Sequence, residues 1–279
     1  LMRNVSDRIN QDAPGGWMPA KHNKDHIPTC GGQETLPASL REAIGAFALA
    51  CAARVCRGQA AEHSSMLVHV TRFTNVQSHV HGQVAEVVRR MRQRITRGND
   101  HEALLDQLKA LWESDFIPTC EEIACRVPEP GGPPAIPGWD EVLAVLPDVI
   151  ADIQVRMING TAKDALDYAE NQGKGLKVIA IGGDKLARGL TLEGLCVSYF
   201  VRTTKMYDTL MQMGRWFGYR PGYVDLCRLY TTEDLVEWFG HIADASEELR
   251  EEFDAMAERG ATPRDYGLKV QSHPVLLVT

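Results

Sequence analysis

No apolar run in this chain approaches the roughly 18 residues that a membrane-spanning helix needs, so no membrane partner is expected. Its opening, LMRNVSDRIN, has no basic-then-apolar leader pattern, and Leu1 ahead of Met2 suggests a piece of a longer protein. The phosphate-loop pattern G-x-x-x-x-G-K-[ST] is missing, and the single Gly-Lys pair, Gly173-Lys174, runs into Gly175 instead. None of the nine lysines stands two residues after an acidic one. The [DE]-x-K arrangement with which many nucleases hold a cation and activate water is therefore absent. There is no H-E-x-x-H, and His79 and His81 read as a surface or helix-end pair. Among the seven cysteines, Cys120 and Cys125 are spaced C-x4-C with no second pair nearby, so no metal site is expected. Their placement in apolar segments reads as reduced, buried thiols and a cytoplasmic setting. A net charge of −7 excludes a protein that coats nucleic acid through overall charge, leaving only a local patch for such contact.

What is present fits a globular chain. At 279 residues there is room for one large domain, or a core domain with a helical addition. Residues 1–35 are polar and rich in turn formers, and read as an extended arm or junction. A helix is expected from Pro37 to about Gly58, alanine-rich and apolar nearly all round, hence buried. SSMLVHVTRF reads as a strand followed by a helix from about Asn75. Two further helices are expected at Asn99 and at Thr119, each with a glutamate three residues on to close a capping box. VPEPGGPPAIPG, from Val127 to Gly138, is a loop. DIQVRMING, LKVIAIGG, LCVSYFVR and YVDLCRLYT then read as strands alternating with helical segments. A long helix starts after Thr232, and the final LKVQSHPVLLVT offers an edge strand. Alternation of this kind points to an α/β fold with a parallel sheet flanked by helices. Residues 36–98 and 148–279 would form it, and 99–147 would be an insertion.

Three stretches can carry chemistry. After LKVIAIGG, Gly182 and Gly183 sit where an α/β strand meets its ligand and would permit close backbone approach or positive φ; Asp184, Lys185, Arg188 and Gly189 follow. Taken alone this is also what an ordinary glycine-rich turn with surface charges looks like. In QMGRWFGYRPGY, Gln212 and Arg215 share a helical face, with Arg220 beyond Gly218. Guanidinium groups held by aromatics suit phosphate oxygens, although, taken alone, structural ion pairs with Asp184, Asp208 or Asp225 explain them better. Finally, Arg89, Arg90 and Arg94, with Arg92 and Arg97, line the helix after SSMLVHVTRF. They form either a solvated face or a stripe able to follow a phosphate backbone.

Together these stretches gain specificity. An apolar strand, D-x-x-x-R-G, a second apolar strand and a helix ending in Gly-Arg resemble motifs V and VI in the second RecA-like lobe of superfamily 2 helicases. By that resemblance, Asp184, Arg188 and Gly189 lie near both nucleotide and nucleic acid, and Arg215 is an arginine finger towards ATP. Thr71 and Arg72, together with Gly182 and Gly183, would meet a DNA backbone. The sequence departs from the helicase pattern at Gln212, one position late, and at Arg220, two positions late. Over most of its length, from about Leu36 to past Phe239, the chain closely resembles the Z1 domain. This bacterial family is usually described as an endonuclease and is found fused to helicase modules in restriction or phage-defence settings. The resemblance implies a RecA-like lobe with ATP and Mg²⁺ shared with an upstream N-terminal lobe. It also implies DNA as partner, with other defence-system subunits. Two alternatives stand beside it: a metal-dependent DNA endonuclease, and a non-catalytic DNA or protein interaction module that keeps a helicase fold.

Overall fold

Three six-residue segments, SSMLVH, KVIAIG and LCVSYF, are buried at every position, as strands inside a two-sided parallel sheet must be. They are β2 (Ser64–His69), β4 (Lys177–Gly182) and β5 (Leu195–Phe200). In the computed structural model of the chain, the described residues are 1–7, 16–19, 21–98, 100–126, 134–158, 168–183, 192–202, 210–212 and 220–260. Among these, β1 (Met2–Asn4), β3 (Gln154–Ile158) and β6 (Arg228–Thr231) complete a six-stranded sheet in the order β1-β6-β5-β2-β4-β3. Every pairing in it is parallel.

Side-chain alternation divides the strands between two cores. Met66, Val68, Ile179 and Ile181 enter the larger one, beneath α1 (Ala38–Cys56), α2 (Thr74–Arg97) and α5 (Trp139–Asp152). Leu67, Val178 and Ala180 join a smaller cluster with Tyr168 and Leu192. Phe200 packs with Leu210 and with Leu235 and Ile242 of α6 (Glu233–Glu258). The alanine-rich α1 is buried along nearly its whole length, as its composition predicts. No helix among the described residues is long and apolar enough to cross a membrane.

Several expectations change. The arm contributes β1, which pairs with β6, whereas the edge strand expected near the C-terminus lies outside the described residues. The arm is not merely extended. Trp17 and Met18 are buried, and Trp17 Nε1 donates to Gln83 Oε1 at 2.9 Å. Asp7 accepts from the Ser39 amide at 2.8 Å, so α1 is capped from across the chain where Pro37 offers no side-chain cap. No helix starts at Thr119. One continuous helical path runs from α3 (His101–Leu111) through a π-helical turn, Trp112–Phe116, into α4 (Ile117–Arg126). Thr119 faces inward, where it accepts from Arg3 at 3.0 Å. The segment expected as an insertion shares the main core through Leu104, Leu108, Trp112, Phe116, Val142 and Leu146. The expected strand YVDLCRLYT begins only at Arg228, because Val224–Leu226 form a 3₁₀ turn.

The π turn has a visible consequence. It directs Asp115 at two arginines: Arg228 of β6, at 2.9 Å with its side chain fully buried, and Arg3 of β1 through a close bidentate pair. Burial pushes the Asp115 carboxyl up, but Arg3 and Arg228 outweigh it and hold it below the ordinary carboxylate value. Asp115→Ala strands a buried guanidinium and should cost about 3–5 kcal/mol. A urea midpoint of the variant within error of the parent's would show that β1 and β6 do not depend on this pair.

Candidate functional site

A parallel sheet delivers the carboxyl end of every strand to one edge, where α/β proteins bind ligands. At this edge β2 runs on into Val70, Thr71 and Arg72, and β4 ends in Gly182 and Gly183. β5 continues through Val201 to Arg202, with the Val201 amide bonded to the His69 carbonyl at 3.2 Å.

Thr71 is the node. It is 1% exposed, and its hydroxyl makes two hydrogen bonds. Its hydroxyl oxygen accepts the Phe73 amide at 3.2 Å in the turn that starts α2, and the hydroxyl contacts His22 Nε2 at 2.7 Å. His22 Nδ1 lies 2.8 Å from the Pro19 carbonyl, which can only accept. The ring therefore carries its proton on Nδ1 and receives the Thr71 hydroxyl proton on Nε2. Burial lowers the His22 pKa, with nearby His26 and Arg72 adding to the effect, so the neutral ring suits the site. Gln77 Nε2 donates to the Thr71 carbonyl at 3.0 Å.

Gly183 closes the other side. A Cβ there would stand 2.6 Å from Gln77 Nε2, 3.1 Å from the Thr71 carbonyl oxygen and 3.3 Å from Arg72 Cα. Close approach of two backbones therefore dictates this glycine. The expected positive φ does not, since Gly182 lies within β4 and Gly183 has no positive φ.

Around this fixed node stand two guanidinium groups. Arg72 is exposed, lies 4.9 Å from the centre of the Phe73 ring and makes no ion pair among the described residues. Arg202, at the end of the neighbouring strand, donates to His69 Nε2 at 3.2 Å. Gln212 is exposed on the short helical segment whose Leu210 packs against Phe200, so it too belongs near this edge. Asp184, Arg188, Gly189 and Arg215 lie outside the described residues.

Other expected site residues are elsewhere. Arg89 and Arg90 both hold Glu86, at 2.7 and 2.6 Å, and Arg94 holds Asp100 at 2.8 Å. At about 1.5 Å of rise per residue they sit some 25–33 Å along α2 from Arg72. Arg220 lines a cavity of about 290 Å³ together with Cys196 and Cys227, near the amino ends of β5 and β6. That is the opposite edge of the sheet from Thr71. Cys120 is buried, with its thiol pushed up to about 12 by burial, while its motif partner Cys125 is exposed.

His22, Gln77 and Arg202 escape sequence reasoning. Arg202 was within reach, because it follows an apolar strand just as Arg72 does. His22 gives no local signal, since only docking of the arm brings it to Thr71.

A family model described as the Z1 domain matches residues 39–277. No curated protein and no solved structure matches the chain.

Two outcomes test the node. Gly183→Ala must displace the Gln77 amide from the Thr71 carbonyl and press on the Thr71 and Arg72 backbone, and should lower stability by about 1–3 kcal/mol in chemical denaturation; a neutral result removes the close-approach argument. For His22, the lowered folded pKa means that the unfolded chain takes up its proton first. Its contribution is complete above the unfolded value of about 6.5 and is lost as pH falls through the folded value. The drop in denaturation midpoint between about pH 7.5 and 5 should shrink in His22→Gln; an unchanged drop would place the pH sensitivity elsewhere.

Proposed function

The chain belongs to the Z1-domain family, and from that premise and the geometry of its sheet edge we propose that it is the second RecA-like lobe of an ATP-dependent DNA-processing enzyme. The observation that carries this reading is the pair Arg72 and Arg202, at the carboxyl ends of adjacent parallel strands beside the tight Gly183 turn. Cationic groups at such strand ends, Arg72 exposed and Arg202 half-buried, are the means by which an acidic protein can grip a phosphate backbone without overall positive charge. The hydrogen bonds of Thr71 to His22 and to the Phe73 amide give that residue a positioning role: it fixes the turn from which Arg72 projects.

ATP with Mg²⁺ would be held mainly by an upstream lobe, because this sequence has no phosphate loop. In this reading the chain adds Arg215, whose guanidinium would stabilise charge developing on the transferred phosphoryl group, with Asp184, Arg188 and Gly189 close by. The guanidinium donors of Arg188 and Arg215 suit an anionic ligand. The arginines at the far end of α2 are engaged with Glu86 and Asp100 and do not enter the proposed DNA contact.

The full-length protein provides the test. Arg72→Ala and Arg202→Ala should each weaken DNA binding regardless of sequence and reduce the salt slope by about 1. Arg215→Ala should cut DNA-stimulated ATP hydrolysis by about a thousandfold. Unchanged hydrolysis in Arg215→Ala would remove the arginine-finger role. Mg²⁺-dependent nicking of plasmid DNA by this chain alone would replace the motor reading with a nuclease.

A further inference from the structure

The arm between Trp17 and Pro28 is polar, yet Trp17, His22 and Pro28 all hold it to the body. Trp17 is buried and meets the Tyr199 ring edge-on, with 6.2 Å between ring centres. Gln83, itself buried, gives both ends of its amide to the arm: Oε1 accepts from Trp17, and Nε2 donates to the Pro28 carbonyl at 2.7 Å. His22 touches Thr71 and stands edge-on to Phe73, with 5.6 Å between ring centres. A brace runs inside the arm as well, where His26 Nε2 donates to the Trp17 carbonyl at 3.0 Å. These contacts fix a loop that would otherwise have no reason to be ordered.

The residues held out between the anchors are charged. Lys21, Asn23, Lys24 and Asp25 are exposed, and the Asp25 amide donates to Asn23 Oδ1 at 3.0 Å in a turn with Lys24 at its tip. Lys21 precedes His22 by one residue and Lys24 follows it by two, so their Cα atoms lie within about 4 and 8 Å of the His22 Cα. His22 in turn touches the residue before Arg72. Lys21, Lys24 and Arg72 make no ion pair among the described residues. Acid is scarce around them. Asp25 is the one carboxylate between Met18 and Thr29, and none occurs from Val70 to Ala85. In a chain of net charge −7, docking of the arm therefore builds a cationic corner beside the carboxyl end of β2.

Resting on the DNA reading above, we infer that Lys21 and Lys24 extend the phosphate grip of Arg72 and Arg202, so that the arm and the strand ends hold one DNA backbone together. A single phosphate is met by donors grouped at one point. Cations spread over separate chain segments match the run of phosphates along a strand. Anchoring the loop in advance also removes the entropy that a free tail would lose on binding.

Binding of a short DNA duplex of arbitrary sequence to the full-length protein tests this, read by fluorescence anisotropy over a range of salt. At about pH 8 the His22 ring is neutral, so it adds no charge of its own. Lys21→Ala/Lys24→Ala should weaken binding at least about tenfold at about 0.1 M salt and lower the slope of log affinity against log salt by about 2. Both side chains are exposed, so circular dichroism and the denaturation midpoint should match the parent's. Lys109→Ala/Lys174→Ala removes the same charge from exposed positions elsewhere and should leave the slope as it is. Weakening by Arg72→Ala with no change in the Lys21/Lys24 variant overturns the arm contact and leaves the DNA reading standing. An equal loss in the Lys109/Lys174 variant also overturns it, because net charge alone then accounts for the effect. A parent protein that binds no duplex at low salt overturns the DNA reading, and the arm contact with it.

Discussion

Everything in this molecule depends on six strands running the same way. A parallel sheet cannot leave a face to water, because its crossover connections must pass over those faces. That requirement explains why β2, β4 and β5 are buried at every residue and why α1 is apolar all round. It also sends every strand's carboxyl end to one edge, so Arg72, Gly183 and Arg202 meet there without being near one another in sequence. The candidate site is a by-product of strand direction, sharpened by a turn in which a side chain at Gly183 would crowd Gln77 and the Thr71 carbonyl.

The margins of the sheet are held differently. β6 and the arm strand β1 are tied by charge: Asp115 joins Arg3 to Arg228, while Asp225 pairs with Arg57 at 2.6 Å where both side chains are almost fully buried. Such pairs add little net stability over a well-packed apolar replacement, yet losing one partner is costly. Their value here is positional. Each fixes one element against another far away in the chain: β1 and β6 against the π turn, and the end of α1 against the 3₁₀ turn before β6. The amino-terminal edge is thereby locked, and the carboxyl edge keeps Arg72 exposed.

Legibility followed the range of the forces involved. The strands β2, β4 and β5 and the helices α1, α2 and α6 could be read from periodicity, since burial imprints itself on consecutive residues. Thr119 shows where that reading misleads: a capping-box pattern at Thr119 and Glu122 sits mid-helix, because the π turn carries the chain straight through and gives the hydroxyl to Arg3. The arm shows another. Its polar, turn-rich composition reads as loose, yet Trp17 is buried on Gln83 and His22 locks Thr71. The arginines of α2 could be counted in the sequence, but not their partners, Glu86 and Asp100.

The sequence by itself determined the α/β class, the central strands and the position of Arg72 and Gly183 at a strand's end, because those follow from local patterns of burial and turn chemistry. It also carried the family likeness, through long runs of consecutive residues. Only the tertiary structure decided that Arg220 stands at the opposite edge from Thr71, that Gly183 is required by backbone contact and not by φ, and that the arm supplies an edge strand. These are contacts between residues tens to hundreds of positions apart, and no local pattern encodes which distant partner a side chain will meet.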